Sequence, residues 1–291
     1  MAPPTLCFWF EFSSPYSMVS ALRLFRALNE APQGSARQTL PSNGQPDISE
    51  VSLAYRPILL GPVFKAIGQQ PLPAMQIPTK GKYMFHDVER TLNTLDCPGF
   101  PGTPMKNWPP NPILPARMAW LLAQGFEHVN AVDSGAEQTP SAPPTTESGA
   151  GPGPGPGSVG RQDRALLRVL SEFVWRVYET EFIHGKDIGD PDTMAALWDT
   201  YVAGSAPRGT RLPSGNRAVE MAEMQAVKDG LRGATQEAVD LGLFGAPSFT
   251  TDDGDLYWGN DRLLDAIAHH RVKKQINQAS GFCVRSRNPS L

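Results

Sequence analysis

The ten residues FWFEFSSPYS, Phe8 to Ser17, decide how the chain begins to fold. Leu6, Phe8, Phe10 and Phe12 alternate with Cys7, Trp9 and Glu11, so both faces of the run are largely apolar. That pattern belongs to a strand inside a sheet covered on both sides. Two hydroxyls and a proline then end it. Ser14 is suited to cap a helix, and Pro15 fits the first helical position, where a missing N–H costs nothing. Met18, Leu22 and Phe25, with Ala21, Leu24 and Leu28, carry an apolar helical stripe to about Asn29. The opening unit therefore reads as strand, Ser-Pro turn, helix.

Working outward, Val51 to Pro57 reads as a second strand, parallel to the first because a helix lies between them. Leu59 to Gly68 reads as a helix, Pro71 to Lys82 as an extended segment, and Tyr83 to Leu95 as a helix. The proline-rich stretch Pro98 to Pro115 is expected to be irregular, with a helix starting by Ala116. Helices resume at Arg161. One is expected from Asp190-Pro191 through Tyr201, and one long helix from about Ala218 to Leu241, stopping at Gly242. Phe249 to Thr251 and Leu256 to Trp258 flank Asp252-Asp253-Gly254-Asp255, a β-hairpin signal. A last helix is expected over Asp261 to Ile276.

The order βαβ, helical block, ββα predicts an α/β thioredoxin-like fold with a large inserted helical domain. Residues 1–58 and 243–291 would form the thioredoxin-like part, and residues 59–242 the insertion. Within it, thirteen of the 28 residues from Asp133 to Gly160 are Gly or Pro. Such a stretch buries too little apolar surface to offset its ordering entropy, so it is expected to be disordered, a tolerated surface insertion between helices rather than a functional motif.

Composition narrows the function. The chain has 291 residues, 40% of them hydrophobic, and a formal charge of -3. Without a basic stripe, nucleic acid is not an expected partner. Without an apolar run of about 18 residues, no membrane span is expected. Cys7, Cys97 and Cys283 lie far apart, form no C-x-x-C pair and are odd in number, which points to reduced thiols. The five histidines show no metal-ligand spacing, so no metal is assigned. The adjacent His269 and His270 would point to different sides of a helix. No secretory signal pattern precedes Leu6, and Pro289-Ser290-Leu291 lacks the basic residue of a peroxisomal signal. A cytoplasmic protein is expected.

Five segments carry a family resemblance. Ser13-Ser14-Pro15-Tyr16 after an aromatic strand, Leu59-Leu60-Gly61-Pro62-Val63-Phe64-Lys65-Ala66 and Pro78-Thr79-Lys80-Gly81-Lys82-Tyr83-Met84 occur in that order. Phe244-Gly245-Ala246-Pro247-Ser248-Phe249 and Trp258-Gly259-Asn260-Asp261-Arg262-Leu263 follow. Any one is weak. The ordered set resembles the 2-hydroxychromene-2-carboxylate isomerase family, relatives of kappa-class glutathione transferases with a DsbA-like thioredoxin fold.

The resemblance implies glutathione as cofactor, a small aromatic or electrophilic substrate, and a homodimer. Glutathione must react as a thiolate, although a free thiol has a pKa of about 8.5. The resemblance gives Ser14 the catalytic role of stabilising that anion; the plainer reading of Ser14 is a helix cap alone. Ala246-Pro247 would be a cis-proline turn whose backbone pairs with glutathione. Gly259, Asn260 and Asp261 would receive its γ-glutamyl end, although Asn260 alone reads equally as a cap and Asp261 as a first-turn acid. Lys65 would pair with a carboxylate. Tyr16 and Asn111 would face the substrate. Trp9, Tyr83 and Trp120 are further candidates for an aromatic pocket, with core packing the commoner use of such residues. The implied reaction is glutathione-dependent isomerisation. A kappa-like transferase or peroxidase, and a glutathione-binding scaffold without turnover, are the alternatives.

Overall fold

The computed structural model describes residues 5–29, 46–48, 51–70, 76–124, 164–205 and 212–285, the last nine by their backbone alone. The expected disordered stretch 133–160 lies outside them. A four-stranded sheet holds the order β2-β1-β3-β4, with β1 at Leu6–Phe10, β2 at Leu53–Pro57, β3 at Ser248–Thr250 and β4 at Leu256–Trp258. β1 pairs parallel with β2, Leu6 opposite Leu53, and antiparallel with β3, Phe8 opposite Phe249. β3 and β4 form the expected hairpin. This is the thioredoxin-like sheet, and it is covered on both faces as the apolar strand pattern requires.

On one face, the Phe8 ring stacks on Phe10 at 5.0 Å and on Phe249 at 5.3 Å, with Tyr55 edge-on at 5.3 Å. Each such aromatic contributes about 2–3 kcal/mol by leaving water. Helix α1 (Pro15–Asn29) shares this core. On the other face, Trp9 packs with Ile58, Val63, Ala238 and Leu243. The guanidinium of Arg56 lies 5.0 Å from the Trp9 ring centroid and is ion-paired with Glu237.

The helices between β2 and β3 are α2 (Leu60–Ala66), α3 (Pro78–Thr94), α4 (Ile113–Gln124), α5 (Arg164–Phe182), α6 (Pro191–Tyr201), α7 (Gly215–Ala222) and α8 (Gln225–Asp240). A final helix, α9 (Leu263–Arg285), follows a 3-10 turn at Asn260–Arg262. α1 packs against α5 and α3, which fixes the Ser-Pro turn between sheet and helical block.

Three elements differ from the sequence reading. Pro78 to Lys82 is helical, because Pro78 opens α3 at its first turn after an extended Ile77. The expected long helix is broken at Met224, whose φ of -65° and ψ of 146° are extended. The break has a packing reason: both halves touch α4, but α7 also lies against α6, while α8 also lies against α2 and β2. One straight helix cannot serve both. The last helix also runs past Ile276, since its first glycine is Gly281 and it holds no proline.

Two glycines give a paired test of this packing. A Cβ on Gly215 would sit 2.0 Å from the carbonyl oxygen of Ala195, whereas one on Gly233 meets nothing within 4 Å. Gly215→Ala is expected to destabilise the protein by about 1–3 kcal/mol. Gly233→Ala should stabilise it by about 0.5–1 kcal/mol, as expected at an open helical site. Urea denaturation of both variants checks the pair.

Candidate functional site

Ser14 ends the strand-to-helix turn and is nearly buried, at 8% exposure. Its Oγ accepts from the Ser17 N–H at 3.2 Å, so it is a helix cap. The same Oγ donates to the Ala246 carbonyl at 3.0 Å. A pure cap has no need of the second bond. Ala246-Pro247 is cis, as expected. The hydroxyl therefore joins the start of α1 to the cis-proline turn before β3.

Beneath this turn lies a carboxyl group that the sequence did not single out. Glu11 is buried, and its Oε2 accepts from the Ser13 N–H at 2.8 Å and from the Ser13 hydroxyl at 2.6 Å. Burial pushes its pKa up to about 7, against the downward pull of those two bonds. Two aromatic donors hold the neighbouring backbone. Tyr178 donates to the Glu11 carbonyl at 2.8 Å, and the Trp108 indole to the Ser13 carbonyl at 3.2 Å.

In front of Ala246 opens a cleft of about 740 Å³. Its walls bring together Tyr16, Ala246, Pro247, Gly259, Asn260 and Asp261, six of the nine residues expected at the site. Gly259 has a φ of 111°, in the left-handed region that favours glycine. Its N–H donates to the Pro247 carbonyl at 2.9 Å, which ties the two backbone segments of the cleft together. Gly259, not Asn260, occupies the cap position of the following 3-10 turn, and no side chain caps it. The Asn260 carbonyl instead accepts from Arg23 of α1 at 3.2 Å.

The opposite wall was only partly legible. Lys80, Tyr83 and Asp87 project from α3, and Trp258 and Arg262 from the hairpin side. Tyr16 donates to Asp87 Oδ2 at 2.8 Å, and Tyr83 lies 3.4 Å from Oδ1. Burial, aided by Asp87, raises the Tyr16 pKa, so that phenol stays protonated. Lys80 sits inside one of the five sequence segments, and α-helical spacing from Lys80 through Tyr83 to Asp87 is the signal that would have found this face.

Other expected residues fall elsewhere. Lys65 is exposed on α2, which packs against α8, and is not among the cleft residues. Asn111 precedes α4, where its Oδ1 accepts from the Ile113 N–H at 3.2 Å, and it lines a different cavity. Trp9 is core, 1% exposed, and the Trp120 ring lies against Gly230. Cys7 lies in β1 and Cys97 is buried, with both thiols pushed up by burial.

The fold also gathers Asp253, Asp255 and His269, whose ligand atoms lie within 4.8 Å of one another. They are already engaged: Lys273 pairs with Asp253 at 2.6 Å, and the Tyr257 hydroxyl lies 2.6 Å from His269 Nδ1.

Glu11 makes the site visible in stability. Its folded pKa lies above the unfolded value near 4.5, so the folded chain holds the extra proton between those values. The stability it contributes is complete below about pH 4.5 and is lost as the pH rises through about 7, at up to ~1.4 kcal/mol per pH unit. Glu181, also raised to about 7 by burial, adds a second such slope. Denaturation curves across this range should show Glu11→Gln with a flatter fall than the parent protein. An unchanged slope would contradict the buried-acid assignment.

No curated protein matches the chain. Among solved structures, a 2-hydroxychromene-2-carboxylate isomerase superposes with a TM-score of 0.58 at 17% identity, covering 94% of this chain and 98% of the other. A probable DsbA oxidoreductase from Streptomyces coelicolor gives 0.48 at 14% identity, covering 99% and 93%. At these identities the likeness is one of fold. The family model for the DsbA-like thioredoxin domain matches residues 5–98 and 168–270, which take in the Ser-Pro turn, the cis-proline turn and the Gly259 turn. The chain belongs to the DsbA-like thioredoxin domain family.

Proposed function

We propose that this protein is a glutathione-dependent isomerase acting on a small aromatic-type acid, in the manner of the 2-hydroxychromene-2-carboxylate isomerases it resembles. One observation carries the reading. In a DsbA-like frame, the residue at the helix start against the cis-proline turn is Ser14, which does not itself line the cleft but is bonded to Ala246, which does, and it brings no thiol. Dithiol exchange needs two sulfurs there, and Ser14-Pro15-Tyr16-Ser17 has none. A reacting sulfur must then arrive with a ligand.

The residues present fit glutathione. Among the described residues the Ala246 N–H has no partner, so it is available to pair with an extended peptide. Lys80 lines the cleft as a cation for a carboxylate; Arg262, paired with Asp265 at 3.0 Å, and Asp261, 3.4 Å from Arg262, line it as a further cation and anion. A cleft of about 740 Å³ lies in the size range of small-ligand sites.

Bound there, glutathione would supply a sulfur nucleophile that adds reversibly and is regenerated. Ser14 has one hydroxyl proton, now given to the Ala246 carbonyl. Turning it toward the ligand stabilises the sulfur anion, and the N-terminus of α1 adds about 0.3–1 kcal/mol. Tyr16 now donates its one proton to Asp87; turned from that carboxylate it would donate on the substrate side. Trp258, whose ring lies 5.1 Å from that of Phe244, offers a flat apolar wall.

Calorimetric titration with reduced glutathione across a pH series tests this. Binding with proton release near neutral pH is expected, and Ser14→Ala should weaken it about 10-fold or more. A folded protein that does not bind glutathione would overturn the reading. If glutathione binds, a substrate screen that finds it consumed in turnover would favour a transferase over an isomerase.

A further inference from the structure

A second cavity, of about 340 Å³, shares no lining residue with the glutathione cleft. Met105, Lys106, Pro109, Asn111, Glu181 and Lys186 line it. We propose that it is a separate binding site for a small zwitterion of the amino-acid type, whose ammonium is received by Glu181.

The floor carries the argument. Glu181, on α5, is only 5% exposed. Among the described residues, the one hydrogen bond to its carboxylate comes from the Ile188 N–H at a long 3.4 Å. Neither Lys106 nor Lys186 is ion-paired with it, or with any described carboxylate. A buried acid so poorly served costs free energy that a ligand cation would offset. Burial, with the nearby Asp187 carboxylate, lifts its pKa to about 7. Two carboxyl groups within Coulomb reach of each other favour an ammonium over a neutral hydroxyl.

The other walls match the rest of an amino acid. Lys106 and Lys186 are exposed cations without a carboxylate partner among the described residues, suited to the ligand's own. Asn111 uses its Oδ1 on the Ile113 N–H, which leaves its amide N–H groups to the cavity. Met105 and Pro109 supply apolar surface for a side chain. The site is joined to the Ser-Pro turn through the segment that bears Pro109, since the adjacent Trp108 donates to the Ser13 carbonyl.

The test is calorimetry with three probes: L-phenylalanine, phenethylamine and 3-phenylpropionate. Phenylalanine should bind best and phenylpropionate worst. Near pH 7, amine binding should release part of a proton, as Glu181 ionises to meet the ammonium. Glu181→Gln should abolish that release and weaken phenylalanine about tenfold, while Ser14→Ala leaves both unchanged, which separates this site from the glutathione reading. Should Glu181→Gln fail to fold, the exposed Asp187→Asn is expected to weaken the two amines several-fold and spare phenylpropionate. Absence of binding by all three probes overturns the proposal. So does phenylpropionate binding as tightly as phenylalanine with indifference to Glu181→Gln, which would mark a lysine-rimmed anion site.

Discussion

A single hydrogen bond joins residues 232 apart in sequence: the Ser14 hydroxyl donates to the Ala246 carbonyl. Much of the architecture serves to make that contact. It needs β1 between β2 and β3, so that the end of the first strand and the start of the third lie side by side. It needs a proline turn whose backbone faces the helix start. It also needs α1 pinned from behind, which α5 and α3 do. The bond is worth about 1 kcal/mol in a protein of this kind. Its importance is positional, since it sets the Ser14 hydroxyl at the junction of a helix N-terminus and the cis-proline turn.

The turn is expensive to hold. It places Ser13, Ser14 and Glu11 in a nearly closed interior, where polar groups must be paired. Ser13 meets Glu11 through both its N–H and its hydroxyl, and aromatic donors from Trp108 and Tyr178 satisfy backbone carbonyls. Trp108 and Tyr178 come from the helical part of the chain and the loops between its helices. That part therefore does more than wall the cleft. It completes the hydrogen bonding of the turn that the sheet presents.

How much of this was legible depends on the range of the interactions. The strand–Ser–Pro–helix start, the parallel second strand and the Asp-rich hairpin follow from local patterns, and all three are present. The break at Met224 follows from what each half packs against, which helical periodicity does not encode. Glu11 looks like one polar residue in an apolar strand. Its side-chain partners are in the turn beside it, but its backbone carbonyl is held by Tyr178, 167 residues away, a contact no local pattern shows. Lys65 stands in one of the five family-like segments and Asn111 just before α4, yet neither lines the large cleft. Lys80 reaches it because α3 begins at Pro78 itself, more than a turn before the expected start at Tyr83.

The central claim is that the Ser14 junction favours a sulfur anion. The most direct measurement is the ultraviolet absorbance of the thiolate when reduced glutathione is added over a pH series, with Ser14→Ala in parallel. The account predicts that glutathione bound to the parent protein ionises below the free-thiol pKa of about 8.5, and that the variant loses most of this shift. Glutathione that binds but titrates as it does in free solution, or titrates identically in the variant, would contradict it.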